Sequence, residues 1–366
     1  TEVQHRRAAL LKMGLQVGDR VLIAHGGSLE FFADLLAVWE IGACAVCTDP
    51  SLPTIQTQSL VEYSEAKVVL AGIEFDSSLS VDVPIFDLSR DFETIKVRKK
   101  SESQKEPTTV DEALILFTSG TTGAPKGVVL SYGALYSRLE LNLTNIDLSG
   151  VANIFCPLPT HFGHGLIGNC LTFLRAGCRI LFAPNPPATF LFDFGRIIDE
   201  YEINFLSSVP TLRNIVVSGA SNPSKSHLKR VHIGSAPLTE RLWREVISWS
   251  KTRNVVNMYG LTESANWIAG ASAARHEPRD GLVGKLWGGE CRLLVGDGEV
   301  CKTGEGEILI DTPSLMTGYL KRPDLTGSVL HRHWFKTGDY GSVDATGIIT
   351  LTGRLKFEIN RAGVKI

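Results

Sequence analysis

The span "LFTSGTTGAPKGVV", residues 116–129, runs an apolar stretch straight into four hydroxyl side chains, three glycines and a lysine. Backbone N–H groups of a glycine-rich turn, hydroxyl donors and an ammonium together make a cradle for an anion, and phosphate fits it best. Gly120, Gly123 and Gly127 let the backbone approach that anion closely. Thr118, Ser119, Thr121 and Thr122 supply donors, and Lys126 supplies charge. This is not the common nucleotide loop G-x-x-x-x-G-K-[ST]. Lys126 is followed by Gly127, so the hydroxyl that would face magnesium is missing.

Four later stretches also carry donors, acceptors and charge at short spacing: "GSAPL" (234–238), "NMYGLTES" (257–264), "WFKTGDYG" (334–341) and "GRLK" (353–356). Together with "TSGTTGAPKG", and in the same order, they resemble the signature segments of the adenylate-forming (AMP-binding) superfamily. That group holds acyl- and aryl-CoA synthetases, peptide-synthetase adenylation domains and luciferases. "VGDRVLI" and "GACAVCTDPSLP" lie where the family has weaker motifs, so the resemblance covers nearly the whole chain.

The resemblance implies a ligase that uses ATP to activate a carboxylic acid. The products are an acyl-adenylate and pyrophosphate, and the acyl group then passes to a thiol of CoA or of a phosphopantetheine carrier protein. Two anions must meet in that reaction, so N–H groups and cations must offset their repulsion. By resemblance, the loop from Thr118 to Gly123 and Lys126 hold the outer phosphates, Thr262 donates to the α-phosphate, and Glu263 holds Mg²⁺. Ser235, Ala236, Pro237 and Gly260 flank adenine, with Tyr259 as its flat neighbour and Asn257 as a partner for the base edge. Asp339 suits the ribose hydroxyls, because an ionised carboxylate only accepts. Arg354 supplies a fixed fork for ribose or phosphate, and Lys356 marks a hinge. Lys126, His161, Thr262 and Glu263 are the expected catalytic set.

"PLPTHFGHGL" (157–166) matches the segment that lines the family's acid pocket. His161, Phe162, Gly163 and Trp267 are its expected walls, together with Ser235 and Ala236. His161 and His164 also have H-x-x-H spacing, but a zinc site needs more ligands than these two. A pocket gate is the expected role of His161, and a packed imidazole that of His164. Amino-acid-activating relatives carry an Asp just after this segment's aromatic residue, and "HFGHG" offers no carboxylate there. A fatty, short-chain or aryl acid is therefore expected. The alternatives are a peptide-synthetase adenylation domain and a nucleotide-binding relative without catalysis.

The elements that must position these groups alternate in type. "RVLIAH", "ACAVCTD", "KVVLAG" and "VPIFDL" read as buried strands, with "SLEFFADLLAVWEIG" as a helix N-capped by Ser28. That is a parallel α/β pattern. "ALILFT", "VANIFCPLP", "RILFAP", "NFLSSVP", "RVHIGS" and "NVVNMYG" continue it, whereas short strands closed by glycine turns follow after about residue 290. The expected fold is α/β, with two parallel-type sheet subdomains and a small antiparallel β-barrel. The expected divisions are 1–110, an N-terminally incomplete first subdomain; 111–290, with the phosphate loop and acyl pocket; 291–353, the small β unit; and 354–366, the hinge. The resemblance also implies a small C-terminal domain, absent from this chain, that supplies a further lysine; adenylation by residues 1–366 alone is expected to be impaired.

Composition narrows the partners. A formal net charge of −2 gives no reason to propose nucleic acid, and no apolar run is long enough to span a membrane. The basic stretch "KVRKKSESQK" lacks interleaved aromatics and reads as a solvated loop. Seven cysteines are scattered, and the pair in "CAVC" lies inside an apolar run, so buried thiols in a reducing cytoplasm are expected.

Overall fold

The computed structural model describes residues 1–72, 81–86, 106–118, 125–182, 188–225, 227–296, 298–355, 360–361 and 364–365. The apolar runs at the N-terminal end become β1 (Arg20–Ala24), β2 (Cys44–Cys47) and β3 (Val68–Ala71), all pairing in parallel. Their side chains are almost wholly buried, as expected of strands covered on both faces. The helix Leu29–Ile41 crosses between β1 and β2. Ser28 caps it by accepting from the Phe31 N–H, and Gly42 ends it at φ 81°. Cys44 and Cys47 are free thiols inside β2, and burial pushes Cys47 up to about 12. The basic stretch 96–105 lies outside the described residues.

β4 (Ile85–Phe86), β5 (Glu112–Thr118) and β6 (Lys126–Ser131) complete most of the first sheet. β5 and β6 are antiparallel, with Thr118 opposite Lys126. A second sheet holds β7 (Asn153–Cys156), β8 (Arg179–Phe182), β9 (Phe205–Ser208), β10 (Arg230–Ile233), β11 (Val255–Leu261) and β12 (Asn266–Ser272). It is parallel except for β12, which turns back on β11.

The third sheet is antiparallel: β13 (Leu282–Gly284), β14 (Glu290–Val295), β15 (Glu299–Cys301) and β16 (Gly304–Asp311), then β18 (Leu330–His331), β19 (Trp334–Val343) and β20 (Ile349–Arg354). Between them, β17 (Gly318–Tyr319) leaves that sheet and pairs with β6 at the edge of the first. One apolar core joins all three sheets, including Leu116 and Val128 of the first, Tyr259 and Ile268 of the second, and Ile308 and Phe335 of the third.

These pairings move the expected divisions. Residues 112–131 belong to the first sheet, not to a unit running from 111 to 290, and the third sheet begins at Leu282, before 291. Arg354 is the last residue of β20 rather than the first of a hinge. Local periodicity reports that a segment is a strand, whereas its sheet is decided by hydrogen bonds to distant residues.

Two imidazoles are built into the second sheet's core. His164 sits between Ser207 Oγ (2.7 Å) and Ser235 Oγ (2.8 Å), and burial lowers it to about 3. His232 stands beside Arg230 Nε (2.6 Å) and edge-on to Trp267; burial, then the Arg230 charge, hold it well below the usual range. Both rings are neutral in the folded protein, whereas each takes up a proton below about pH 6.5 in the unfolded chain. Their stabilising contribution is therefore full above that pH and is lost as pH falls toward 3, by up to about 1.4 kcal/mol per pH unit for each ring. His164→Gln should flatten this acid dependence, read as the difference between parent and variant in urea midpoint from pH 7 to pH 5. Equal slopes would refute the buried neutral ring.

Candidate nucleotide and acid site

The groups with the expected chemistry come from loops at the ends of the first two sheets and from β19 and β20. On β19, an interior strand of the third sheet, Asp339 is only 5% exposed and accepts from two sides. Tyr259 donates its O–H to Oδ2 at 2.7 Å, and Arg354 donates Nε–H to Oδ1. Arg354 stands directly opposite Asp339 in the β19–β20 ladder, which fixes this pair by register. Each carboxylate oxygen has two lone pairs, so both can still accept from a ligand hydroxyl.

Both residues expected to face adenine, Tyr259 and Asn257, are buried. The Tyr259 ring is 7% exposed and belongs to the core; its phenol is raised well above the usual range by burial and by Asp339. Asn257 donates one Nδ2–H to the Leu282 carbonyl at 2.8 Å, which fixes the amide and leaves its second N–H and Oδ1 for a base. Ser235 and Pro237 are exposed on the loop after β10, with Ala236 half-buried between them. Ser235 holds φ 67°, an unusual value for a non-glycine residue, and its hydroxyl is tied to His164. Gly260 lies at a register shift of β11, and a Cβ there would collide with the Asn266 carbonyl. Only glycine fits that contact.

Beyond Gly260, the chain turns through Thr262–Ser264 and closes on Ala265 in the left-handed region at φ 55°. This short turn presents Thr262 and Glu263. The Glu263 carboxylate accepts from the Tyr319 O–H at 2.8 Å, and its backbone carbonyl accepts from the Met316 N–H at 2.8 Å. The Lys126 ammonium stands 5.7 Å from the centre of the same Tyr319 ring. A cation from β6 and a carboxylate from the second sheet thus share one neighbour. Ser119, Gly120, Thr121, Thr122, Gly123 and Lys356 lie outside the described residues.

The expected acid pocket is built on a π-helix, His164–Leu171, that the sequence pattern does not reveal. His161 lies just before it, packed on Phe162 with ring centroids 4.3 Å apart. Burial lowers its pKa, while Asp49 pulls the other way from 3.6 Å, too far for a hydrogen bond. Asp49 is itself held through Oδ1 by the Ser51 N–H and O–H. Buried His161 Nε2 and Asn266 Nδ2 find no hydrogen-bond partner among the described residues. A methyl group added at Gly163 would meet Leu116, Asn266 and Ile167 at 3.7–4.0 Å, ordinary contact distances. Trp267 is 2% exposed, edge-on to His164 and His232, and packs in the core instead of forming an open wall.

Sequence reading missed Tyr319, Asn266 and Asp49 as neighbours of the site. "MTGYL" does carry a signal, a glycine turn leading into a tyrosine, but its partners lie 56 residues away at Glu263 and further back at Lys126. Among the described residues no cluster of three or more His, Cys, Asp or Glu could hold a metal ion, and no helix is long and apolar enough to cross a membrane. A lone carboxylate such as Glu263 fits the chemistry of Mg²⁺, which is commonly held by one or two carboxylates together with substrate phosphates.

The profile of the AMP-binding enzyme family matches residues 2–320. The chain is 28% identical over 355 residues to a 2-succinylbenzoate–CoA ligase of Bacillus cereus, covering 94% of this chain and 70% of that enzyme. It is 26% identical over 379 residues to the long-chain-fatty-acid–CoA ligase FadD13 of Mycobacterium tuberculosis, covering 98% and 72%. A solved double mutant of the o-succinylbenzoate CoA synthetase MenE of Bacillus subtilis, bound to a product analogue, has TM-score 0.87 and 22% identity, covering all of this chain and 74% of that one. That structural likeness carries the fold, and the profile match, which takes in most of the chain, carries the family. The chain belongs to the AMP-binding enzyme family.

Proposed function

We propose that this protein uses ATP to activate a carboxylic acid as its acyl-adenylate, releasing pyrophosphate, and passes the acyl group to CoA. The observation that carries this reading is the meeting of Lys126 and Glu263 on Tyr319, from separate sheets. A triphosphate needs a cation for its outer oxygens and a carboxylate for its metal within one ligand's length. In the first step a carboxylate oxygen attacks the α-phosphorus and the bond to the pyrophosphate oxygen breaks. In the second, a thiol sulfur attacks the acyl carbonyl and AMP leaves.

Lys126, Thr118 and the loop 119–123 hold the outer phosphates, and Thr262 donates to the α-phosphate as charge grows there. Glu263 holds Mg²⁺, which when bound neutralises phosphate charge. Asp339 receives the ribose hydroxyls, pre-set by Tyr259 and Arg354, and Ser235, Ala236, Pro237, Gly260 and the Asn257 amide surround the base. His161, Phe162 and Gly163 line the acid pocket, and Trp267 supports it from beneath. Lys356 follows as hinge. CoA is favoured over a carrier protein because the relatives reported above are named CoA ligases. An acid without an α-amino group is favoured because no carboxylate lies in "HFGHG".

Lys126→Ala should weaken ATP binding by about tenfold to a hundredfold, the worth of a charge-assisted contact, and leave AMP binding unchanged. Calorimetry with both nucleotides checks this, and equal losses would move the lysine away from the outer phosphates.

Gly163 adopts ordinary helical φ, so a larger side chain there acts by volume, not strain. Pyrophosphate exchange across a panel of fatty, short-chain, aryl and amino acids should favour the first three classes. Gly163→Leu should shift preference toward smaller acids while changing ATP affinity by no more than about twofold. Strongest exchange with an amino acid would replace the acid reading by the peptide-synthetase one, and an unchanged preference in Gly163→Leu would remove that residue from the pocket.

A further inference from the structure

The segment from Thr312 to Leu320 is a strap between two parts of the nucleotide site. At one end Ser314 Oγ donates to the Ser264 carbonyl (3.0 Å) and the Met316 N–H to the Glu263 carbonyl (2.8 Å). At the other, the Thr317 N–H bonds the Val129 carbonyl (2.9 Å) and the Leu320 N–H the Gly127 carbonyl (2.7 Å). The strap thus clips the Thr262–Ser264 turn to the strand that carries the glycine loop's lysine. Tyr319 lies within it, and its side chain repeats the same bridge. Its O–H bonds Glu263 Oε1 at 2.8 Å, and its ring faces the Lys126 ammonium at 5.7 Å.

We propose that Tyr319 is a positioning residue for the metal-bearing carboxylate: its phenol fixes one oxygen of Glu263, directing the other to the Mg²⁺ that accompanies ATP. This rests on the ATP reading above. An unsupported glutamate has three rotatable bonds, and holding it in one rotamer costs conformational entropy each time a cation binds. A hydrogen bond from Tyr319 meets that cost during folding. Partners that orient a metal ligand in this way are typically worth about 10- to 100-fold in metal affinity. The ring's attraction for Lys126 is a separate, weaker contribution, because a cation over a tyrosine face survives loss of the hydroxyl.

That separation gives the test. Tyr319→Phe keeps the ring, the packing and the strap's backbone bonds, and removes the O–H alone. ATP and AMP binding to the 366-residue chain would be measured by calorimetry in EDTA and across a MgCl₂ series, alongside thermal melting. Tyr319→Phe should bind AMP, and ATP in EDTA, as the parent does, and should need about 10- to 100-fold more Mg²⁺ to reach the parent's ATP affinity. Glu263→Gln should lose the Mg²⁺ response, and adding Tyr319→Phe to it should change nothing further.

An unshifted Mg²⁺ requirement in Tyr319→Phe would overturn the proposal. A further loss in the double variant would do the same, because Tyr319 would then act on something other than Glu263. If Tyr319→Phe melts early, Tyr319→Met, which fills similar space without a hydroxyl, is measured in its place, and an unshifted Mg²⁺ requirement there overturns the positioning role. A parent chain that binds no ATP refutes the nucleotide reading itself, whereas a parent that binds it normally confines the failure to Tyr319.

Discussion

A strand that lies in sequence between the strands of one sheet but pairs in another is the constraint on which the candidate site depends. β17 falls between β16 and β18 of the antiparallel sheet, yet its hydrogen bonds go to β6 at the edge of the first sheet. Buried Arg138 braces the crossing from below. Its guanidinium donates to Thr312 Oγ1, Ser314 Oγ and the Trp287 carbonyl, with hydroxyls and a carbonyl in place of a carboxylate. Desolvation pulls that guanidinium down to about 9, and the hydrogen bonds offset the cost of burying it. Ser314 then bonds the Ser264 carbonyl, so one chain of contacts runs from the helix after β6, through the strap, to the Thr-Glu turn.

The consequence for chemistry is preorganisation. Thr262, Glu263, Lys126 and Asp339 come from three sheets, and the proposed reaction would require such donors and charges to stand in place before the transition state forms. Backbone hydrogen bonds from the strap set the Glu263 turn against β6. The β19–β20 register sets Arg354 against Asp339, and the Tyr259 phenol ties Asp339 to β11. Each link is short and mostly buried, where an unmade hydrogen bond is costly, so the arrangement resists drift.

Burial also explains why several residues serve the site indirectly. His164 never presents an exposed ring; it stays neutral and holds Ser235, whose positive φ shapes the loop after β10. Trp267 and His232 fill the space beneath the π-helix, edge to face, so the helix that carries the pocket segment rests on a rigid aromatic floor. Asn257 donates one amide N–H to Leu282 of the third sheet, joining two sheets beside the candidate site.

The sequence by itself determined the local elements and carried the family resemblance. Residue type makes the glycine loop a candidate anion cradle, whereas the roles expected of the Thr262–Glu263 pair and Asp339 come from that resemblance, through the order of the motifs along the chain. The buried strands and the Ser28 cap are legible because hydrophobic period and capping chemistry are local. Tertiary structure alone decided which sheet each strand joins, and so where the divisions fall. It also decided that Tyr259 and Trp267 are core aromatics, that Asn257's amide is anchored to the Leu282 carbonyl, and that Tyr319 contacts both Lys126 and Glu263. Each of these depends on hydrogen bonds or packing between residues tens to hundreds of positions apart. No periodicity records such pairings, because a strand's pattern says which face is apolar but not which edge it will find.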